Sequence, residues 1–121
     1  MAAKGSKAKF TKEQEDYFFE RVNFHAKELN LQDWHIGRSK RRPKDCMADV
    51  DISWEDKTAS VALGTGWGNT EINEKTLNAT ALHEMLHVFF KPLMEACVTG
   101  NPLLMASAEH SVIAVLEKRF G

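Results

Sequence analysis

Hydrophobic and polar positions along this chain follow two different periods, and the switch between them outlines the fold. Residues 1 to 9 are small and lysine-rich with no apolar pattern, which predicts a disordered basic tail. From there Phe18, Val22, Ala26 and Leu29 recur at helical spacing, with Tyr17 and Phe24 widening the stripe. Thr11-Lys12-Glu13-Gln14 fits a capping box, so this first helix is expected to start near Thr11 and end near Asn30. The middle of the chain then alternates with a period of two. Trp34 to Arg38 reads as a first strand. Ala48, Val50, Ile52 and Trp54 alternate with Asp49, Asp51 and Ser53 in a second, and Ala59, Val61 and Leu63 mark a third. Glu55-Asp56-Lys57 turns the chain, so the last two strands are expected to form an antiparallel hairpin.

Gly64, Gly66 and Gly68 around Trp67 read as a flexible connection. A second helix is expected from Asn73 to about Met94. A third is expected from Asn101-Pro102, asparagine as cap and proline in the first turn, to Lys118 or Arg119. The order predicts an α+β domain: an N-terminal helix, a small, largely antiparallel three-stranded sheet, and two C-terminal helices. Residues 10–121 form that one domain, after the tail.

Composition narrows the class. The 121 residues suit one domain, with 43% hydrophobic and 27% charged positions in the balance of a globular protein. No apolar run approaches the roughly 20 residues that span a bilayer, and no apolar stretch follows the N-terminal lysines as in a secretory signal. Sixteen basic and seventeen acidic residues give a net charge of -1, unlike a protein that works mainly by gripping nucleic acid. Cys46 and Cys97 are too few for a disulfide framework, and read as reduced thiols in a cytoplasmic protein.

The chemistry concentrates in the second predicted helix. His83-Glu84-Met85-Leu86-His87 matches H-E-x-x-H. Two histidines four residues apart project from one side of a helix and can share one zinc ion. The glutamate between them reaches a nearby water and acts as its general base. On the helix wheel Leu82, Met85, Leu86, Phe89 and Leu93 form an apolar stripe, with His83 and His87 at its flank and Glu84 further round. A catalytic zinc takes three protein ligands. The metzincin extension fails, because Phe90 and Leu93 stand where it needs glycine and histidine. In the last helix Met105, Val112, Ile113, Leu116 and Phe120 form a stripe with Glu109 at its centre, and a buried carboxylate is costly unless paired or bound to metal. Glu109 is therefore the expected third ligand. His110 is the rival for that place, or else a hydrogen-bond donor to the reaction oxyanion.

With these residues the chain resembles the small zincin metallopeptidases, and among them the short gluzincin-like enzymes of bacteriophages and prophages. The resemblance runs through Leu31-Gln32-Asp33-Trp34-His35-Ile36, the hairpin strands, Leu77 to His87, and Ala108-Glu109-His110-Ser111-Val112-Ile113. It implies zinc held by His83, His87 and Glu109, with Glu84 as catalytic base and a peptide or protein as substrate. The chain departs from the thermolysin-like pattern at Ile113, where an aspartate often follows the third ligand. Asp49, Asp51 and Glu71 are candidate carboxylates for orienting the histidines.

Lys40, Arg41, Arg42 and Lys44 cluster between the first two strands; they offer a weak nucleic-acid contact, or a solvated turn around Pro43. His25 reads as a packed core-edge residue, His35 as a candidate cleft residue, Tyr17 as a candidate oxyanion donor, and Trp67, like Trp34 and Trp54, as core, with the cleft wall as the alternative for Trp67. The sequence thus predicts a zinc-dependent peptidase without a membrane partner. The alternative is a non-catalytic zinc module that binds a protein or DNA, with His110 closing the metal as a fourth ligand.

Overall fold

The structure is a computed structural model that describes residues 9–120, without the side chains of 119 and 120. The expected tail therefore lies almost wholly outside the described residues. The elements follow in the order α1 (Lys12–Glu28), β1 (His35–Arg38), β2 (Ala48–Ser53), β3 (Thr58–Leu63), α2 (Glu74–Thr99) and α3 (Pro102–Phe120). This is the small α+β arrangement that the periodicity predicts.

Local chemistry sets most of the boundaries. Thr11 caps α1, and both halves of its capping box with Gln14 are formed. Asn73 caps α2 in a reciprocal pair with Thr76. The Asn101 side chain accepts hydrogen bonds from the Leu103 and Leu104 amides at 3.0 and 3.2 Å, which opens α3. Gly100, at φ 67°, ends α2 in the left-handed conformation that glycine adopts without strain. α2 runs to Thr99, past the expected end near Met94, and passes through Pro92.

The sheet order is β1-β3-β2. β2 and β3 form the expected antiparallel hairpin, with Val50 opposite Val61 and Ala48 opposite Leu63. β1, however, pairs parallel with β3, Ile36 opposite Ala59, so the sheet is mixed. The reason lies in β3. Its Val61, Ala62 and Leu63 are fully buried on both faces, as suits a central strand, while the polar residues of β1 and β2 suit edges.

The core lies between the sheet and the α1–α2 pair. Phe18 and Val22 of α1 meet Leu77, Ala81, Met85 and Val88 of α2 and Val61 and Leu63 of β3. His25 is buried, as expected of a core-edge histidine, and its Nε2 lies 2.8 Å from Asn78 Oδ1. The same oxygen accepts from Arg21 Nε at 2.7 Å, which ties α1 to the first turns of α2. Tyr17 packs against this core rather than standing free.

The glycine loop is not a loose connection. Trp67 is 2% exposed and its indole N–H donates to the Gly64 carbonyl at 3.0 Å, so it is core rather than cleft wall. A Cβ on Gly64 would lie 2.3 Å from the Cys46 carbonyl oxygen, and one on Gly66 2.5 Å from the Cys46 nitrogen. These glycines let two loop backbones touch, and so fix the segment that leads into β2.

The third helix departs from its expected face. Ala108 and Val115 are its buried hydrophobics, with Leu104 and Val112 half-buried, whereas Met105, Ile113 and Leu116 are exposed. α3 is apolar on two sides, and the sequence periodicity alone picked the outer one.

Candidate metal centre

Three residues of α2 build the site. His83 and His87 sit one helical turn apart on an exposed face, and their Nε2 atoms lie 3.1 Å from each other. Their rings meet edge-on, with centroids 4.7 Å apart. Two nitrogens bound to one tetrahedral zinc at about 2.0–2.1 Å would be separated by about 3.3 Å. The observed spacing comes close to that. Without an ion, the same spacing serves one N–H···N hydrogen bond. The two histidines therefore fit two positions of a zinc ion.

Glu84 lines the same groove but differs from the histidines in burial. The wheel set it outside the apolar stripe, yet it is only 5% exposed, far more enclosed than its histidine neighbours. Burial, and then the negative charge of Asp49, push its carboxyl up to about 7. At neutral pH this group both accepts and releases a proton readily, as a general base must.

The other wall of the site is the edge strand β2. A groove of about 440 Å³ runs between Asp49, Val50 and Ile52 of β2 and His83, Glu84 and His87 of α2, with Lys91 and Met94 at one end. It adjoins a second depression of about 330 Å³, where Cys46, Met47 and Thr80 surround His83 and Glu84. Asp49 is thus the carboxylate placed beside the motif, out of the three the sequence offered. Asp51 is exposed on its strand, and Glu71 stands before α2, where its carbonyl accepts from Thr76.

Sequence reasoning missed two features here. Cys46 lines the second depression, and its thiol is pushed up by burial and by the negative charges of Asp49, Asp45 and Glu84, so it stays protonated. Arg41 grips both Asp49, at 3.0 and 2.8 Å, and Asp51, at 3.1 Å. Alternating acidic positions on β2 with a basic loop before it were the available signal. The basic cluster is correspondingly less free than its composition suggests. Arg42 pairs with Glu15 at 2.7 Å and lies over the Phe10 ring, which leaves Lys40 and Lys44 as its solvated members.

Glu109 and His110 are not brought to this place. Both are exposed on α3, and Glu109 lines a separate groove of about 390 Å³ with Leu93, Met105, Ala106, Val112 and Ile113. The expectation of a buried Glu109 is thereby corrected: the stripe it centres is the outward one. Among the described residues no three His, Cys, Asp or Glu side chains stand close enough to share an ion. The positions outside the description, 1–8 and 119–121, contain none of these residue types. In this arrangement His83 and His87 stand together, and Glu109 and His110 are not brought to them. His35 is exposed on the open face of the sheet, in a shallow depression with Asp51 and Ser60, away from α2.

No family model, no curated protein and no solved structure matches this chain significantly. The zincin resemblance therefore rests on the sequence motifs alone. Among the described residues no helix is long and apolar enough to cross a membrane.

Proposed function

We propose that this chain is a zinc-dependent hydrolase, and specifically a minimal zincin-like metallopeptidase. The observation that carries the reading is the pair of Nε2 atoms 3.1 Å apart on an open helix face, beside a glutamate enclosed in the adjoining groove. His83 and His87 hold the zinc, Glu109 of α3 is the third ligand, and His110 takes that place if Glu109 does not. A bound zinc polarises a substrate carbonyl and makes water more acidic.

The remaining work falls to the chain's own residues. A Glu84 carboxylate oxygen takes the proton of the attacking water as its oxygen bonds to the carbonyl carbon. It then delivers that proton to the amine as the C–N bond breaks. β2 is an edge strand flanking the groove, so an extended peptide adds to it through backbone hydrogen bonds and lies across the histidines. The free thiols Cys46 and Cys97 fit a reducing, cytoplasmic setting.

The test is metal content by plasma mass spectrometry, followed by a peptide-library digest. The parent is expected to carry equimolar zinc and to cleave. Glu84→Gln keeps the zinc and stops cleaving, whereas His83→Ala loses both. A parent that takes up no zinc at neutral pH sinks the reading.

A further inference from the structure

A cleft of about 200 Å³ opens where the end of α1, the start of β1, the β2–β3 turn and the α2–α3 pair meet. It shares no lining residue with the histidine groove or with the depression beside it. Trp34, Trp54 and Phe89 form its aromatic walls, and the two indole rings lie 6.4 Å apart at 39°. Opposite them α3 presents Ser107, Ser111 and Ala114, which recur on one face of the helix. These side chains are too short to fill the space, so the cleft stays open.

Polar groups converge on it. Trp34 is 7% exposed, and its indole N–H has no hydrogen-bond partner among the described residues, whereas that of Trp67 donates to Gly64. Among the described residues no side-chain nitrogen is both sealed from solvent and unpartnered. The Trp34 N–H therefore keeps an opening, and the cleft is the space its ring lines. Lys57 is the second donor. Its ammonium bonds Asp33 Oδ2 at 2.5 Å and lies 5.8 Å from the centroid of the Trp54 ring, with N–H groups to spare. Lys57 holds this place at φ 53°, in the left-handed region that costs a lysine free energy.

An ammonium and an indole N–H both require an acceptor, and the rings require a flat apolar body. We propose that this cleft binds a small aromatic carboxylate. The ring of the ligand packs among Trp34, Trp54 and Phe89, and its carboxylate accepts from Lys57 and the Trp34 N–H. Asp33 does not forbid this, because Lys57 already neutralises it. The volume falls below the roughly 300 Å³ of common ligand pockets, which limits the occupant to about one ring. The site is separate from the histidines, so it stands or falls without them.

The test uses the metal-free full chain with benzoate, benzamide and benzyltrimethylammonium as probes, followed by the indole N–H signals in a correlation spectrum. Millimolar benzoate is expected to shift the Trp34 and Trp54 signals and to leave that of Trp67 in place. Benzamide has the same shape without the charge and is expected to bind about fivefold more weakly, a difference that Lys57→Met removes. Ser107→Leu and Ala114→Leu, both at exposed positions, plug the cleft and are each expected to weaken benzoate about tenfold or more. Thermal melts check that both variants fold. Benzoate that shifts no Trp34 signal, or that binds both plugged variants as it binds the parent, overturns the proposal. So does tighter binding of benzyltrimethylammonium, since the cleft then reads a cation through Asp33 and the indole faces.

Discussion

His83 and His87 bring their Nε2 atoms to 3.1 Å from each other, and among the described residues no third metal-ligating side chain joins them. The spacing is a property of α2 alone, since residues four apart on a helix stack on one side. Under the proposed zinc-site reading, the ion stabilises the fold because it binds the native chain and not the unfolded one. Saturating zinc, at about a hundred times its dissociation constant, adds about 2.7 kcal/mol to the native state. For a domain of this size that predicts a rise in Tm of about 10 °C. Calorimetry with and without a chelator checks it, and His87→Ala is expected to abolish the shift.

Glu84 makes stability depend on pH in the metal-free protein. Its native carboxyl titrates at about 7, above the ordinary 4.5 of the unfolded chain. Between those values the native state holds the extra proton. Stability therefore falls as pH rises from about 4.5 to 7, by about 3 kcal/mol in total, and is flat above. Urea melts across that window test the sign. Glu84→Gln, neutral at every pH, is expected to lose this component of the slope, and an unchanged slope refutes the assignment.

The glycine loop predicts a sharp contrast between neighbours in composition. Gly64→Ala drives a Cβ to within 2.3 Å of the Cys46 carbonyl oxygen, so one backbone must move. The expected loss is about 1–3 kcal/mol. Because the displaced segment leads into β2, the groove wall at Ala48 and Asp49 shifts with it, and zinc affinity is expected to fall too. Gly37→Ala meets nothing within 4 Å and is the matched control, with little change expected in a thermal melt.

Asn78 serves two partners on α1, Arg21 at 2.7 Å and His25 at 2.8 Å, through one side-chain oxygen. Asn78→Ala leaves the buried His25 ring without that partner. The expected cost is about 1–3 kcal/mol, read as a lower denaturation midpoint at unchanged m-value.

Short-range stereochemistry made several features legible along the chain. Thr11, Asn73 and Asn101 mark helix starts because their side chains bond amides two or three residues on, and alternation from Ala48 to Leu63 specifies a hairpin. The histidine pair was legible for the same reason. Tertiary structure decided what depends on the neighbour of each face. β1 joined β3 in parallel because the hairpin left the buried central strand one free edge, which no local turn signal announces. Glu84 is enclosed although the wheel set it aside, because β2 and Asp49 form a wall that the period of α2 cannot reveal. The wheel of α3 gave the angle of Glu109 relative to Met105 and Ile113 correctly, but not which of two apolar faces packs inward. Periodicity fixes angles within an element; only the packing partner says which angle is inside.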